Sequence, residues 1–436
     1  MEWWLILLII FFALIFLIAV GVPVAFAFLT INIFCVYIFW NGTAGLSQLI
    51  LSIYASVTSF ALLPVPLFVL MGEIMFRSGI ATRQMEVLDS WLGRIPGRLS
   101  LLAVGGGTLF ATLTGSAMAG AAMLGSTLVP EMEKKGYAKA MSLGPILGSG
   151  GLAIMIPPSA LGVLLAALGE FSVGRFLVAI IIPGLIMALL YASYIILRCQ
   201  IQPHLAPKYT PLPVPLSRKI WLTIIYVFPM AAVVFLVVGL IFLGVATPTE
   251  SAAAGTLACF VLAAAYRKLK WSVVKLAIEG TLRVTVMMFM ILTGSTAFSQ
   301  ILAFTGASTG LVELASNLPL APIWVVFAMQ IVLLIFGTFM EPLTIMMLTI
   351  PIYFPIIVTL GYSPLWFGTI MLLNMEMATT SPPFGLVLFV MKGVAPKDTT
   401  MGDIYKAGLP FLACDAVAMA AIMAFPGLAL WLPGLM

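Results

Sequence analysis

The sequence has few charged residues, one histidine and four cysteines. Lys, Arg, Asp and Glu together make up 8% of its 436 residues, whereas soluble domains contain about 25%, so a soluble globular protein is excluded. The lone histidine and the widely separated cysteines, which show no paired spacing, indicate neither a transition-metal site nor a disulfide framework. The sequence also lacks a paired-Asp, His-Glu-x-x-His or Ser-His pattern at membrane depth, which disfavours an enzyme.

The sequence consists mainly of long apolar runs. Hydrophobic residues make up 63% of the chain, and the mean hydropathy is +1.20. Most apolar runs are close to the roughly 20 residues that a helix needs to cross a lipid bilayer. The chain is therefore predicted to be an all-α polytopic membrane protein, with spans at about 3–20, 22–40, 61–76, 140–169, 176–197, 220–243, 250–266, 284–303, 365–394 and 408–432.

Two proline motifs interrupt matching apolar runs. The segment Gly148–Ser159, which contains Pro157 and Pro158, returns about 225 residues later as Asn374–Gly385, with Pro382 and Pro383. Two consecutive prolines remove two backbone donors, and the carbonyls that they leave free cannot face lipid. One such motif is more often a simple kink, but two at one spacing predict broken helices, at about 140–169 and 365–394, that meet at a binding site near the midplane.

The two halves of the chain repeat each other along their length. Five predicted crossings in each half is an odd number, so the second half must enter the membrane upside down relative to the first. An inverted repeat is thus predicted, with halves 1–197 and 220–436 joined by a proline-rich linker, 198–219. The matching residues lie 223 to 227 positions apart: Gly21 and Gly244, Gly79 and Gly306, Pro130 and Pro355, Gly136 and Gly361, Pro157 and Pro382.

The basic residues define an orientation. They are dispersed in loops beside the spans, which argues against nucleic acid as a partner and marks the cytoplasmic side. All the clusters of Lys and Arg lie on one side of the membrane only if residues 99–130 enter the membrane and turn back as a re-entrant hairpin. The apolar stretch is broken at 112–116, where such a hairpin would turn. Its repeat partner, 322–355, is broken at 337–342 and has no Lys or Arg at either end, so it is expected to enter from the opposite face. Both termini are then periplasmic.

Two amphipathic segments are predicted outside the spans. Residues 269–282 carry Lys270, Lys275 and Glu279 among apolar residues, and residues 46–60 match them at the other face. Each is either a helix lying in the membrane interface or an ordinary amphipathic loop helix. The pattern alone does not separate the two.

The hairpin tips and the broken helices supply candidate ligands. Free carbonyls and hydroxyls are hard oxygen ligands that suit Na+, and no cofactor besides Na+ as coupling ion is expected. Glu341, at the second tip, is predicted to couple ion binding to transport, with a structural carboxylate as the alternative. The candidate Na+ ligands are Thr114, Gly115, Ser116, Ser149, Gly150, Thr338, Glu341, Thr379 and Thr380, and the candidate substrate residues are Pro157, Pro158, Ser159, Ser381, Pro382, Pro383 and Gly385.

Other acidic residues are weaker candidates. Glu376 is a second possible coupling carboxylate, whereas Glu73 and Glu250 lie nearer span ends and are expected to face polar protein surface. The proline motifs 148–159 and 374–385 contain no Lys or Arg, so helix N-termini and bound Na+ would have to supply the positive potential for an anion. The sequence therefore permits a carboxylate substrate without requiring one.

In combination, these motifs resemble those of the large membrane subunit of the TRAP transporters, the tripartite ATP-independent periplasmic family. The motifs are Thr114–Ala117, Pro130 with Gly136-Tyr137, Ser149-Gly150 with Ile156–Ser159, Gly337–Glu341 and Ser381–Phe389. Three features depart from the usual family pattern: Glu341 replaces an Asp; Gly151, Ala153 and Ile154 replace a commoner Thr, Gly and Pro; and Val387 replaces a frequent Asn.

The resemblance implies a function and its partners. It implies an elevator fold like that of the ion-transporter superfamily, with the hairpins and broken helices forming the ion and substrate sites. It further implies a Na+-driven importer in the bacterial inner membrane, acting with a small four-helix membrane subunit and a periplasmic substrate-binding protein that delivers a small organic acid. A stand-alone secondary carrier or antiporter of similar fold remains the main alternative, whereas a channel is disfavoured because broken helices with hairpins build occluded sites.

Overall fold

The computed structural model describes residues 2–40, 42–93, 95–114, 117–207 and 215–436, apart from the side chains of residues 81, 82 and 109–114. Within these residues the chain is helical, without a β-strand. In the first half the α-helices are α1 (Trp3–Ala19), α2 (Val24–Phe39), α3 (Thr43–Val57), α4 (Pro64–Arg77), α5 (Ile80–Leu92), α6 (Arg98–Thr114), α7 (Ala117–Lys134), α8 (Lys139–Met155), α9 (Ala160–Leu168), α10 (Val173–Ala179) and α11 (Ile181–Ile201).

The second half follows a similar order. Its α-helices are α12 (Leu216–Leu222), α13 (Phe228–Phe242), α14 (Pro248–Ala265), α15 (Trp271–Phe304), α16 (Ala307–Ser316), α17 (Pro322–Gly337), α18 (Pro342–Thr359), α19 (Pro364–Thr380), α20 (Leu386–Val394), α21 (Met401–Ala424) and α22 (Gly427–Leu430). Short 3-10 turns lie at Phe60–Leu62, Pro203–Leu205 and Pro433–Leu435, and a π-helical turn at Thr223–Val227 joins α12 to α13.

The helices are long and apolar enough for a multi-pass membrane protein. Among the described residues, seven helical stretches could cross a bilayer, and α8 with α9 makes an eighth if this pair, bent by 47°, is one span. Helices α1, α2 and α17 are equally apolar but shorter. The prediction of an all-α polytopic membrane protein is confirmed, although fewer helices than predicted reach full span length.

Proline and serine residues set the ends of the broken helices. Helix α8 ends immediately before Pro157 and Pro158, and the Ser159 hydroxyl then caps α9 by accepting a hydrogen bond from Gly162 N (3.1 Å). In the second half, α19 ends before Pro382 and Pro383, and α20 begins after Gly385. Both Pro-Pro peptide bonds are cis. We call α8–α9 and α19–α20 the first and second broken helices.

Each broken helix is preceded by a pair of helices joined at a short break. The pair α6 and α7 occupies the region predicted as the first hairpin, and α17 and α18 occupy the region predicted as the second. Residues 115–116, at the first turn, lie outside the described residues. We call these pairs the first and second hairpins.

One predicted element differs in the structure. Residues 269–282 do not form a separate interfacial helix, because α15 continues without a break for 34 residues, from Trp271 to Phe304. The segment contains glycine but no proline, so the backbone hydrogen bonds run on into the predicted span. The matching segment in the first half, α3, is a separate helix.

The helices form two packed groups. Helices α2, α3, α4, α14 and α15 pack together, with α4 against α14 and α15, and we call them the outer group. Within it, the buried Asn32 side chain on α2 donates a hydrogen bond to Gly294 O on α15 (2.6 Å). Such interhelical hydrogen bonds hold helices together where lipid supplies no hydrophobic driving force.

The hairpins and broken helices form the second group. Helix α8 packs against α6, α7 and α21, and α19 packs against α17 and α21. We call these helices, together with α9, α18 and α20, the hairpin group. The Asn374 amide on α19 donates to Gln330 O on α17 (2.7 Å), so the second broken helix is tied to the second hairpin. The two groups meet where α4 contacts α6 and α15 contacts α18.

Glycines allow the hairpins to approach the broken helices closely. A Cβ added to Gly107 on α6 would lie 2.4 Å from the Cβ and Oγ of Ser149, and one added to Gly337 on α17 would lie 1.9 Å from Ala378 Cβ. Small residues at membrane helix interfaces permit such contacts between backbones. In both halves, therefore, a hairpin helix packs directly on the first part of the following broken helix.

We predict that Gly107→Ala destabilises the protein by about 1–3 kcal/mol, because the added methyl group overpacks the α6–α8 contact. Gly105→Ala, on the same helix, is the matched control, since nothing lies within 4 Å of a Cβ at that position. Thermal unfolding of both purified variants in detergent measures the difference. Equal melting temperatures would contradict the close packing described for α6 and α8.

Candidate functional site

A cavity of about 300 Å³ lies between the outer group and the hairpin group. Both hairpins, both broken helices and the two outer helices α4 and α15 contribute to its wall. Its lining consists of Val69, Glu73, Phe76 and Arg77 from α4; Val284, Met287 and Met288 from α15; Ala117, Met118, Ala119, Glu341, Pro342 and Leu343 from the hairpins; and Ile154, Ala160, Leu161, Thr379, Leu386 and Val387 from the broken helices.

The first broken helix leaves two backbone carbonyls without their helical donors. The hydrogen bond from Ile156 N to Leu152 O (3.0 Å) closes the last turn of α8. The carbonyls of Ala153 and Ile154 would bond to the next two N–H groups, which Pro157 and Pro158 lack. The break thus provides hard oxygen atoms next to the first hairpin.

The second broken helix also leaves a backbone carbonyl without its helical donor, and Gly385 packs closely against it. Pro383 lacks the N–H group that would bond the Thr379 carbonyl. A Cβ added to Gly385 would lie 2.5 Å from Thr379 O and 2.8 Å from Ser381 O, so only glycine fits against these carbonyls. The break therefore gathers backbone oxygens at the start of α20.

Of the predicted Na+ ligands, the structure places Glu341 and Thr379 on the cavity wall. Glu341 stands at the N-terminal end of α18, where its side chain makes no capping hydrogen bond. The Thr379 hydroxyl donates to the backbone carbonyl of Glu376 (2.9 Å), which leaves its oxygen lone pairs available. A carboxylate and a hydroxyl oxygen from two elements thus face one space.

The other predicted Na+ ligands lie beside the cavity. Ser149 is buried against the first hairpin, and a Cβ at Gly150 would lie 3.3 Å from Ala117 Cβ at the tip. Thr338 is half-buried before the second tip, and Thr380 is buried in the last turn of α19. The Thr114 side chain, Gly115 and Ser116 lie outside the described residues.

The predicted substrate residues form the breaks themselves rather than the cavity wall. Pro157, Pro158 and Ser159 are buried, as are Ser381 and Gly385, whereas Pro382 is half-buried and Pro383 is exposed. The carbonyl of Pro383 accepts a hydrogen bond from the Tyr405 hydroxyl (2.7 Å). The broken-helix residues that do line the cavity lie on either side of the breaks: Ile154 and Thr379 before them, and Ala160, Leu161, Leu386 and Val387 after them.

Sequence reasoning missed one charged pair on the cavity wall. Arg77 Nε lies 3.0 Å from Glu73 Oε2, one helical turn away on α4. Glu73, predicted to face a polar protein surface, lines the cavity instead, and Arg77 brings a cation that the proline motifs 148–159 and 374–385 lack. The available signal was the i, i+4 spacing of opposite charges in an otherwise apolar helix.

A second carboxylate is buried within the hairpin group. Glu376 on α19 is 1% exposed, and neither of its carboxylate oxygens has a hydrogen-bond partner among the described residues. It packs against Gly151 of α8, where a Cβ would lie 2.3 Å from Glu376 Cγ. A buried carboxylate requires a cation, a proton or donors, so Glu376 places a strong acceptor between the two broken helices.

A polar pair lies near this carboxylate. The buried Tyr191 hydroxyl on α11 donates a hydrogen bond to Asp415 on α21, and both groups interact electrostatically with Glu376. Among the described residues, no group of three His, Cys, Asp or Glu side chains could hold a metal ion. The polar atoms at and near the breaks are carbonyl, hydroxyl and carboxylate oxygens, which are hard ligands.

Comparison with known proteins points to one family. The family described as "Tripartite ATP-independent periplasmic transporter, DctM component" matches residues 11–428. The chain is 32% identical over 390 residues to the C4-dicarboxylate TRAP transporter large permease protein DctM of Pseudomonas aeruginosa. The matched region covers 88% of this chain and 89% of that protein.

Further relatives carry other names. The ectoine TRAP transporter large permease protein TeaC of Halomonas elongata is 27% identical, over 95% of this chain and 96% of its own length. The sialic acid TRAP transporter large permease protein SiaM of Vibrio cholerae is also 27% identical, over 95% of each chain. The crystal structure of the Alcanivorax borkumensis YdaH transporter superposes with a TM-score of 0.63 over 89% of each chain, and at 15% identity it supports the fold alone.

We predict that Gly151→Ala destabilises the protein by about 1–3 kcal/mol, because the new methyl group would overlap the Glu376 side chain. Adding Glu376→Ala removes the overlapping atoms, so the double variant should recover much of the loss. Thermal unfolding of the two single variants and the double variant measures this coupling. Gly393→Ala, where nothing lies within 4 Å of a Cβ, is the control; strictly additive effects at positions 151 and 376 would refute the contact.

Proposed function

Because the chain belongs to the DctM component family of the tripartite ATP-independent periplasmic transporters, and its relatives are permeases rather than enzymes, we propose that it is the large permease subunit of a binding-protein-dependent secondary transporter. It imports a small organic acid across the bacterial inner membrane, driven by a Na+ gradient. The observation that carries the proposal is the meeting of two hairpins and two broken helices at one cavity.

The proposed coupling ion is Na+. The unpaired carbonyls at the breaks, the Thr379 hydroxyl and the Glu341 carboxylate are all hard oxygen ligands, which Na+ prefers. The cavity wall contains no His or Cys side chain. Glu341 supplies the negative charge that a bound cation needs in an apolar surrounding.

The proposed substrate is a small carboxylate. The relatives named for C4-dicarboxylate and sialic acid support an organic acid. A cavity of about 300 Å³ is of the size that holds a small molecule. Two Na+-binding breaks would also add positive charge beside an anion.

The proposed movement is an elevator displacement of the hairpin group against the outer group. The hairpin group is internally tied by glycine contacts and by the Asn374–Gln330 hydrogen bond, which suits a unit that moves as one body. The outer face of the cavity carries Met287 and Met288, whose flexible side chains adapt to a sliding surface. An inverted repeat with both termini periplasmic and the 198–219 linker cytoplasmic completes the proposed arrangement.

The proposed partners are a small four-helix membrane subunit and a periplasmic substrate-binding protein. The outer helices expose large apolar side chains, including Phe34, Ile38, Leu51 and Tyr54 on α2 and α3, and such surface is compatible with lipid or another membrane helix. The stand-alone carrier is the competing interpretation, and it differs in needing no binding protein.

Dependence on the binding protein tests this proposal. The chain should be purified with its small membrane partner and reconstituted in liposomes with an inward Na+ gradient. We expect little uptake of free organic acid and restored uptake when the loaded cognate binding protein is added, with no effect of an unrelated binding protein. Rapid uptake of free substrate would favour the stand-alone carrier, and uptake indifferent to Na+ would refute the coupling ion.

We predict that Glu341→Ala reduces Na+-driven uptake at least tenfold without reducing membrane insertion, because it removes the carboxylate from the cavity. Glu341→Asp should retain substantial uptake, since it keeps the charge. Glu279→Ala, on an exposed face of α15 beside Lys275, is the control and should behave like the wild type. Transport is measured at varied Na+ concentration, and an unchanged Na+ dependence in Glu341→Ala would remove Glu341 from ion coupling.

A further inference from the structure

Arg77 is the one cation among the residues that line the described cavity. The acidic residues on this wall are Glu73 and Glu341, and the remaining lining residues are uncharged, most of them apolar. Arg77 and Glu73 both come from α4, whereas Glu341 comes from the second hairpin. The cavity therefore has a positive group on the outer side and a negative group on the hairpin side.

The guanidinium of Arg77 is only partly engaged. Its Nε group donates a hydrogen bond to Glu73 Oε2 (3.0 Å), and its Cζ atom lies 5.6 Å from the centre of the Phe76 ring. Neither Nη group therefore has an acceptor among the described residues. These two groups form the end of the guanidinium that can bind a carboxylate through two parallel hydrogen bonds. The side chain is 36% exposed, so a ligand in the cavity can reach it.

The Glu73 carboxylate packs against α15. A Cβ added to Gly280 of α15 would lie 2.6 Å from Glu73 Cδ and 2.8 Å from both carboxylate oxygens. The carboxylate therefore lies close to the α15 backbone, between Gly280 and Arg77, to which it is hydrogen-bonded.

An anion that enters a mainly apolar cavity loses its hydration and requires a counter-charge. Arginine suits this role because it stays charged and binds a carboxylate through two parallel hydrogen bonds. While the cavity is empty, Glu73 serves as the counter-charge for Arg77. A substrate carboxylate has the same chemistry as Glu73 and can take over that function.

We propose that Arg77 is the anion-binding residue of the cavity, and that it binds a carboxylate of the transported solute in competition with Glu73. The proposal rests on the transporter function proposed above and specifies its substrate class as a carboxylate with net negative charge. The solute then lies between Arg77 on the outer group and the ion-binding tip on the hairpin group. Charge selection is thereby assigned to α4 rather than to the broken helices.

The competition gives the two members of the pair opposite roles. If Arg77 binds the solute, Arg77→Gln should weaken carboxylate binding at least tenfold, since a charge-assisted hydrogen-bonded pair is lost. Glu73→Gln should leave binding equal or tighter, because it removes the competing carboxylate. If the pair were only structural, both substitutions would break the same salt bridge and weaken binding alike.

Equilibrium binding to the complex of this chain with its small membrane subunit tests the proposal. The probes are pyruvate, succinate and sialic acid in Na+ buffer, with succinamide as the uncharged counterpart of succinate. We expect at least one of the acids to bind the wild type and succinamide not to bind. Arg77→Lys should bind with intermediate affinity, and Arg83→Gln, which disrupts an exposed ion pair with Glu86 outside the cavity, should match the wild type.

Two outcomes would overturn the proposal: no acid binding to the wild type, or equal weakening by Arg77→Gln and Glu73→Gln. If Arg77→Gln fails to fold, the direction of the Glu73→Gln effect decides alone. The measurement uses no ion gradient and no binding protein. Opposite effects of the two variants therefore support Arg77 even if uptake proves independent of Na+, in which case the driving ion alone is wrong.

Discussion

The structure depends on one constraint, which is that a backbone carbonyl inside a bilayer must have a polar partner. The Pro-Pro pairs deprive Ala153, Ile154 and Thr379 of their helical donors, and lipid offers none in return. Each break must therefore be enclosed by other helices. The hairpins pack onto the broken helices through Gly107 and Gly337, beside Ser149 and Ala378, and so contribute to this enclosure. Fold and site thus follow from the same unsatisfied groups.

Much of this architecture was predictable because proline acts locally. The helix ends at Pro157 and Pro382 follow from the missing N–H groups, and the structure has both breaks where the sequence indicates them. The interfacial helix at 269–282 was not predicted correctly, because a change from amphipathic to apolar character does not interrupt backbone hydrogen bonding. Without a proline, α15 runs on for 34 residues.

The site was predictable only where its residues adjoin the breaks. Glu341 and Thr379, which the sequence singles out, lie on the cavity wall; Glu341 adjoins Pro342, and Thr379 lies three residues before Pro382. Arg77 was missed because its place on the wall depends on how α4 packs against the hairpin group, a tertiary contact that no local motif encodes. Gly151 is a similar case. A Cβ at position 151 would lie 2.3 Å from Glu376 Cγ, and this contact between α8 and α19 is not visible in the sequence of either helix.

The length of α15 has a mechanical consequence. At 1.5 Å per residue a helix of 34 residues is about 50 Å long, whereas the hydrocarbon core of a bilayer is about 30 Å thick. Such a helix must tilt strongly or project beyond the core at one end or both. In either case one continuous helix joins its exposed first residue, Trp271, to Met288 on the cavity wall. Because packing against neighbouring helices sets the tilt of such a helix, the packing of α15 along its whole length also determines where Met288 stands on the cavity wall.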